Sequence, residues 1–181
     1  MMLNFHSNAC VLLFLTTTFV GESAYGQQGI KAVPSNIPSG NYSSPDGKYV
    51  FQYSSGDAGL NDSANLYCRS DKRKTNLLDI KDLKEIDGFA WVPNRKHTLV
   101  FAVRRIKGKP FMAMWNGEKI KVLLAGNLPE DVDSAAEHFS IVGVSTKGDR
   151  FIYTHFDATT SYKESIIRKT SKRRYGFVLP K

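Results

Sequence analysis

Cysteine is scarce in this 181-residue chain, with only Cys10 and Cys68. Two thiols exclude a disulfide-dense scaffold and a four-cysteine zinc site. No stretch of about 20 apolar residues, the length needed to span a bilayer, is present. Ala9 to Val20 is uncharged and apolar but too short to span. A sustained 3.6-residue period is also missing, so long helices are not expected; the segment 130–137 could supply one helical turn at most. Catalytic signatures are lacking too. There is no Gly-rich phosphate loop and no H-E-x-x-H, and Gly143-Val144-Ser145 begins a nucleophile elbow that Thr146-Lys147 does not complete. Cys68 lies beside Leu66 and Tyr67 in a strand-like run, a setting for a packed thiol rather than a nucleophile. No enzymatic activity and no cofactor are expected.

What is present begins with the N-terminus. The short apolar run is followed by Gly21-Glu22-Ser23 and then Ala24-Tyr25-Gly26, a small-residue pattern suited to cleavage before Gln27. Residues 1–26 therefore read as a secretory signal, which places the mature chain in the periplasm or outside the cell. Cys68 then remains as the single cysteine, and no transmembrane segment is left.

A repeat organises residues 27–181. Tyr42-Ser-Ser-Pro-Asp-Gly-Lys-Tyr-Val-Phe51, Ala90-Trp-Val-Pro-Asn-Arg-Lys-His-Thr-Leu-Val-Phe101 and Val144-Ser-Thr-Lys-Gly-Asp-Arg-Phe-Ile-Tyr153 each place a turn before an alternating aromatic and β-branched run. A second element follows each turn: Leu66-Tyr-Cys-Arg with Asn76-Leu-Leu, Met112-Ala-Met-Trp with Val122-Leu-Leu, and Ile166-Ile-Arg-Lys with Phe177-Val-Leu. Three units, about 37–80, 86–126 and 137–181, should each form four short antiparallel strands, A to D. In the second unit these fall at about 86–92, 98–104, 111–115 and 119–124. The spacing is that of propeller blades. Recurrent aromatics such as Tyr42, Trp91, Trp115, Phe101, Phe151 and Tyr153 are expected to fill the core between blades.

Ser44-Pro45-Asp46-Gly47-Lys48, followed by Tyr-Val-Phe, resembles the S-P-D-G-K repeat of TolB-type, WD-repeat-like β-propellers. The second and third units carry divergent versions, Val92-Pro-Asn-Arg-Lys and Ser145-Thr-Lys-Gly-Asp-Arg. The resemblance implies an all-β, three-repeat partial propeller that acts as a non-enzymatic envelope interaction module. The alternative is the propeller portion of a peptidase-type enzyme that lacks its catalytic domain. A small β-barrel or sandwich is the alternative fold. Three units fall short of the smallest common ring, so self-association through open blade edges, or a larger protein partner, is expected to complete the array.

Charge distributes unevenly over the units, within a net charge of +8. The A–B and C–D turns should share one basic face, with Lys72, Arg73, Lys74, Arg95, Lys96, Lys172, Arg173 and Arg174 as candidate binding residues. The D–A connections carry Asp79, Asp82, Glu85, Asp87 and Glu137 at the other end. Such a field steers anionic partners, and an anionic envelope ligand fits the compartment. Nucleic acid does not, since no aromatic platform interleaves the basic runs. A two-residue turn at Lys147-Gly148 would set Asp157 opposite His138 and His155 opposite Ser140. That register would converge His138, His155 and Asp157 on one face. Strand-end histidines are more commonly hydrogen-bonded, so no metal is expected.

Overall fold

A computed structural model describes residues 29–56, 60–127, 137–157 and 174–180. The signal segment therefore lies outside the described residues, as do the 130–136 turn, Ile166-Ile-Arg-Lys, Lys172 and Arg173.

The described chain is all-β, with eleven strands in three antiparallel sheets of three or four strands. The first sheet is ordered β2 (Gly40–Ser43), β3 (Tyr49–Ser54), β4 (Ser63–Cys68). The second runs β5 (Leu83–Trp91), β6 (Leu99–Arg105), β7 (Phe111–Trp115), β8 (Ile120–Ala125). In the third, β1 (Ile30–Ala32) flanks β9 (Glu137–Ser145), which pairs with β10 (Arg150–Asp157) and so with β11 (Arg174–Val178). The sheets stay separate and do not close into a barrel, which removes the barrel alternative.

The middle sheet is covered on both faces. Along β6, Leu99, Phe101 and Val103 point into one apolar cluster with Tyr49, Phe51 and Leu66 of the first sheet. Val100 and Ala102 point the other way, against Phe139, Ile141 and Phe151 of the third. Successive strand residues alternate faces, so burial on both sides requires an unbroken apolar run, and Leu99 to Val103 supplies it. Each large side chain fully buried here contributes about 1.5–3 kcal/mol.

The second unit matches the sequence expectation to within a few residues at each strand. The other two depart from it. In the first unit the fourth strand is not formed. Asn76 Oδ1 accepts the Leu66 N–H at 2.9 Å, the Leu77 N–H reaches the Leu66 carbonyl at 2.6 Å, and Leu78 is buried in the core. A side chain thus stands where a strand would continue the ladder. In the third unit the Phe177 segment is not separated from β10 by another strand; Phe177 pairs directly with Phe151 and Tyr175 with Tyr153. β1 joins β9 through Ile30–Ser145 and Ala32–Gly143, an addition the repeat pattern does not contain.

A bulge corrects the predicted register of the third hairpin. Pairing slips by one residue between Ile152 and Tyr153, so Phe156 faces His138, His155 faces Phe139 and Asp157 faces Glu137. His138 stacks on Phe156 on one side of the sheet, and His155 stacks on Phe139 on the other. The three residues weighed as metal ligands therefore do not converge. Among the described residues no group of three His, Cys, Asp or Glu side chains is placed to hold a metal.

Candidate functional site

The turn after the first strand of each unit closes in the same way. Gly47 N–H bonds to Ser44 O at 2.9 Å, Arg95 N–H to Val92 O at 3.3 Å, and Gly148 N–H to Ser145 O at 2.9 Å. The Ser44 hydroxyl donates to Asp46 Oδ1 at 2.7 Å. This bond, more than the neighbouring His97, holds the Asp46 carboxyl down at about 2. Ser145 likewise lowers Asp149. The three turns lie side by side: His97 Nε2 meets Asp46 Oδ2 at 2.6 Å, and Asn94 Nδ2 donates to the Thr146 carbonyl at 2.9 Å.

Several predicted basic residues gather at this end. Lys72, Arg73 and Lys74 follow β4, whose last residue lies opposite Tyr49 beside the first turn. Lys96 is exposed on the second turn. Arg95 is not free for a ligand, because Nη1 donates to the Pro180 carbonyl at 2.6 Å. Arg174 sits elsewhere. Since β11 runs directly beside β10, Arg174 pairs with Thr154 and Val178 with Arg150, so Arg174 starts its strand away from the Lys147-Gly148 turn.

Next to the turns lies a cleft of about 660 Å³. Its walls come from β1, β2 and β5, which are edge strands of the three sheets. Trp91, Tyr42 and Phe89 supply aromatic surface, Pro34, Pro45 and Pro93 supply rigid apolar surface, and Asn41, Ser43 and Asn94 supply polar groups. Trp91 is held by an Nε1–H bond to the Tyr42 carbonyl at 2.9 Å and an edge contact with Trp115. Tyr42 packs edge-on against Phe89, with centroids 4.8 Å apart. Lys31 is the charged residue of the lining, and no carboxylate faces it there. The volume is that of a small-ligand or peptide side-chain pocket. Lys31 was missed by sequence reasoning, since a three-residue strand carries no period.

The opposite end of the sheets holds paired charges. Arg104 clamps Asp87 through Nε at 3.1 Å and Nη2 at 2.7 Å, and reaches Glu85 at 3.0 Å. Burial pushes the Asp87 carboxyl up to about 6 despite Arg104. Asp62 joins the first two sheets by accepting from Tyr53 OH, Gly56 N–H and Ile86 N–H. Burial, then Asp62, raises Tyr53 to about 12. Glu137, 1% exposed, accepts from His155 Nε2 at 2.8 Å and Asn127 N–H at 2.7 Å. These acids are committed to holding the fold together.

No family model, curated protein or solved structure matches the chain.

Proposed function

We propose that the chain is a non-enzymatic binding module of the cell envelope, secreted or periplasmic, resembling a partial TolB-type propeller. It engages a protein or anionic partner through the cleft between its three edge strands and the basic turns beside it. The observation that carries this reading is the cleft itself. Edge strands of three sheets converge on one cavity, its aromatic walls are fixed by hydrogen bonds and ring contacts, and its charged lining residue is a lysine. Edge strands offer backbone donors and acceptors to an extended partner. Lys72, Arg73, Lys74 and Lys96 add a field that attracts anions at long range.

Affinity capture from an envelope extract tests this. The bait is compared with a Lys31→Glu variant and with a Lys72→Glu/Lys74→Glu/Lys96→Glu variant, each at low and high salt. The reading expects a partner retained by the parent protein at low salt and lost in both variants and at high salt. Capture that is indifferent to charge reversal and salt contradicts it.

A further inference from the structure

The outer face of the first sheet differs from an ordinary solvated surface. Strands β2, β3 and β4 contain no charged residue at all, whereas exposed surfaces are normally about one quarter to one third Lys, Arg, Glu and Asp. The register sets Asn41 opposite Gln52 and Gln52 opposite Asn65. Three carboxamides thus stand in a row across the sheet, spaced at about 4.8 Å from strand to strand. Asn41 and Gln52 are exposed and Asn65 is half-buried. None of the three side-chain carboxamides is hydrogen-bonded to another described residue. Each offers two donors and an acceptor, a pattern suited to hydroxyl groups rather than to ions.

The next row is Ser43, Val50 and Tyr67. Tyr67 is half-buried, and Lys74 Nζ lies 5.5 Å from its ring centre. Arg69 bonds Ser43 Oγ through Nη2 at 2.7 Å. The nearby Asp71 carboxylate is turned to the Arg73 and Thr75 backbone N–H groups. The margin of the carboxamide row is therefore cationic.

We infer that this face binds a strand of acidic polysaccharide. Sugar hydroxyls lie on the row of Asn41, Gln52 and Asn65, a ring edge rests by Tyr67, and the sugar carboxylates point to Lys74 and Arg69. This goes beyond the cleft reading: it centres on Gln52 and Asn65, which do not line the cleft, although Asn41 and Ser43 border both and Lys74 belongs to the basic turns as well.

Affinity electrophoresis in gels containing polygalacturonate, with dextran as the neutral polymer, tests the inference. Polygalacturonate is expected to retard the protein and dextran not to. Gln52→Glu places a carboxylate in the row without changing its size. It should weaken retardation about tenfold or more, because like charges repel at a contact. Lys121→Glu on β8 makes a larger charge change elsewhere and should leave retardation nearly intact. Thermal melting confirms that both variants fold. No retardation by polygalacturonate, equal retardation by dextran, indifference to Gln52→Glu, or equal loss with Lys121→Glu would each overturn the inference. Gln52→Glu should not alter capture through the cleft, so the two readings fail separately.

Discussion

Removing the Arg104 guanidinium should cost stability that depends on pH. The register shift between Ile86 and Phe89 turns Asp87 inward, where its side chain is 9% exposed and Arg104 is 17% exposed. Arg104 gives Asp87 two charge-assisted bonds, and burial outweighs them to leave the carboxyl at about 6, with Glu85 and Asp62 pushing in the same direction. An unfolded Asp titrates near 3.9. The folded value is raised, so protonation favours the fold. This contribution is fully present below about 4 and is lost as pH rises through about 6. At about 1.4 kcal/mol for each pH unit, the difference amounts to about 3 kcal/mol. In Arg104→Met the apolar stem stays and an ionised Asp87 is left buried without its partner. Breaking a buried pair in this way costs about 3–5 kcal/mol. Urea unfolding of parent and variant should show that loss at pH 8. At pH 5, where Asp87 takes up a proton, the loss should fall below about 2 kcal/mol. Adding Asp87→Leu to Arg104→Met should restore much of the stability at pH 8. An equal loss at both pH values, or a larger one at pH 5, would contradict a buried Asp87 held ionised by Arg104.

Two further substitutions probe the turns and the core. Gly47 and Gly148 both adopt positive φ, at 72° and 71°. A Cβ at Gly47 meets nothing within 4 Å, whereas one at Gly148 collides with the Pro93 carbonyl oxygen. Gly47→Ala should therefore cost only the left-handed penalty of about 1–2 kcal/mol. Gly148→Ala should cost at least twice as much by chemical denaturation; equal costs would show that the turns do not pack as described. Trp115 is 1% exposed, and its Nε1–H has no partner among the described residues. Trp115→Phe should thus stay within about 1 kcal/mol of the parent, since it removes an unsatisfied donor. Trp115→Ala should cost about 3–5 kcal/mol, and a similar loss for both would contradict the assignment.

The second unit was legible because physics acts on it from two sides. Leu99 to Val103 must be apolar throughout, and turn residues bracket it, so pattern and structure coincide. The first and third units lie at the ends of the array, where that constraint relaxes. Asn76 replaces a strand pairing with a side-chain bond, and no periodicity announces this. β1 is three residues long, includes an exposed lysine, and finds its partner β9 more than a hundred residues away. The bulge after Ile152 shifts one pairing and separates His138 from His155, an event set by packing rather than by a turn signal. The candidate site was half readable. Tyr42 and Trp91 stand out as repeated aromatics, but their meeting with Lys31 depends on β1. Charge counting placed Lys72 and Lys96 near the turns, yet it could not foresee that Arg95 would be used on the C-terminal carbonyls.

The proposed function puts the partner in the cleft between β1, β2 and β5. Hydrogen–deuterium exchange of the protein, alone and with the captured partner, tests it most directly. Slower exchange on binding is predicted for Lys31–Val33, Asn41–Ser43 and Ala90–Trp91, with β7 and β8 unchanged. Protection confined to β8 and β11, with the cleft segments exchanging as before, would contradict it.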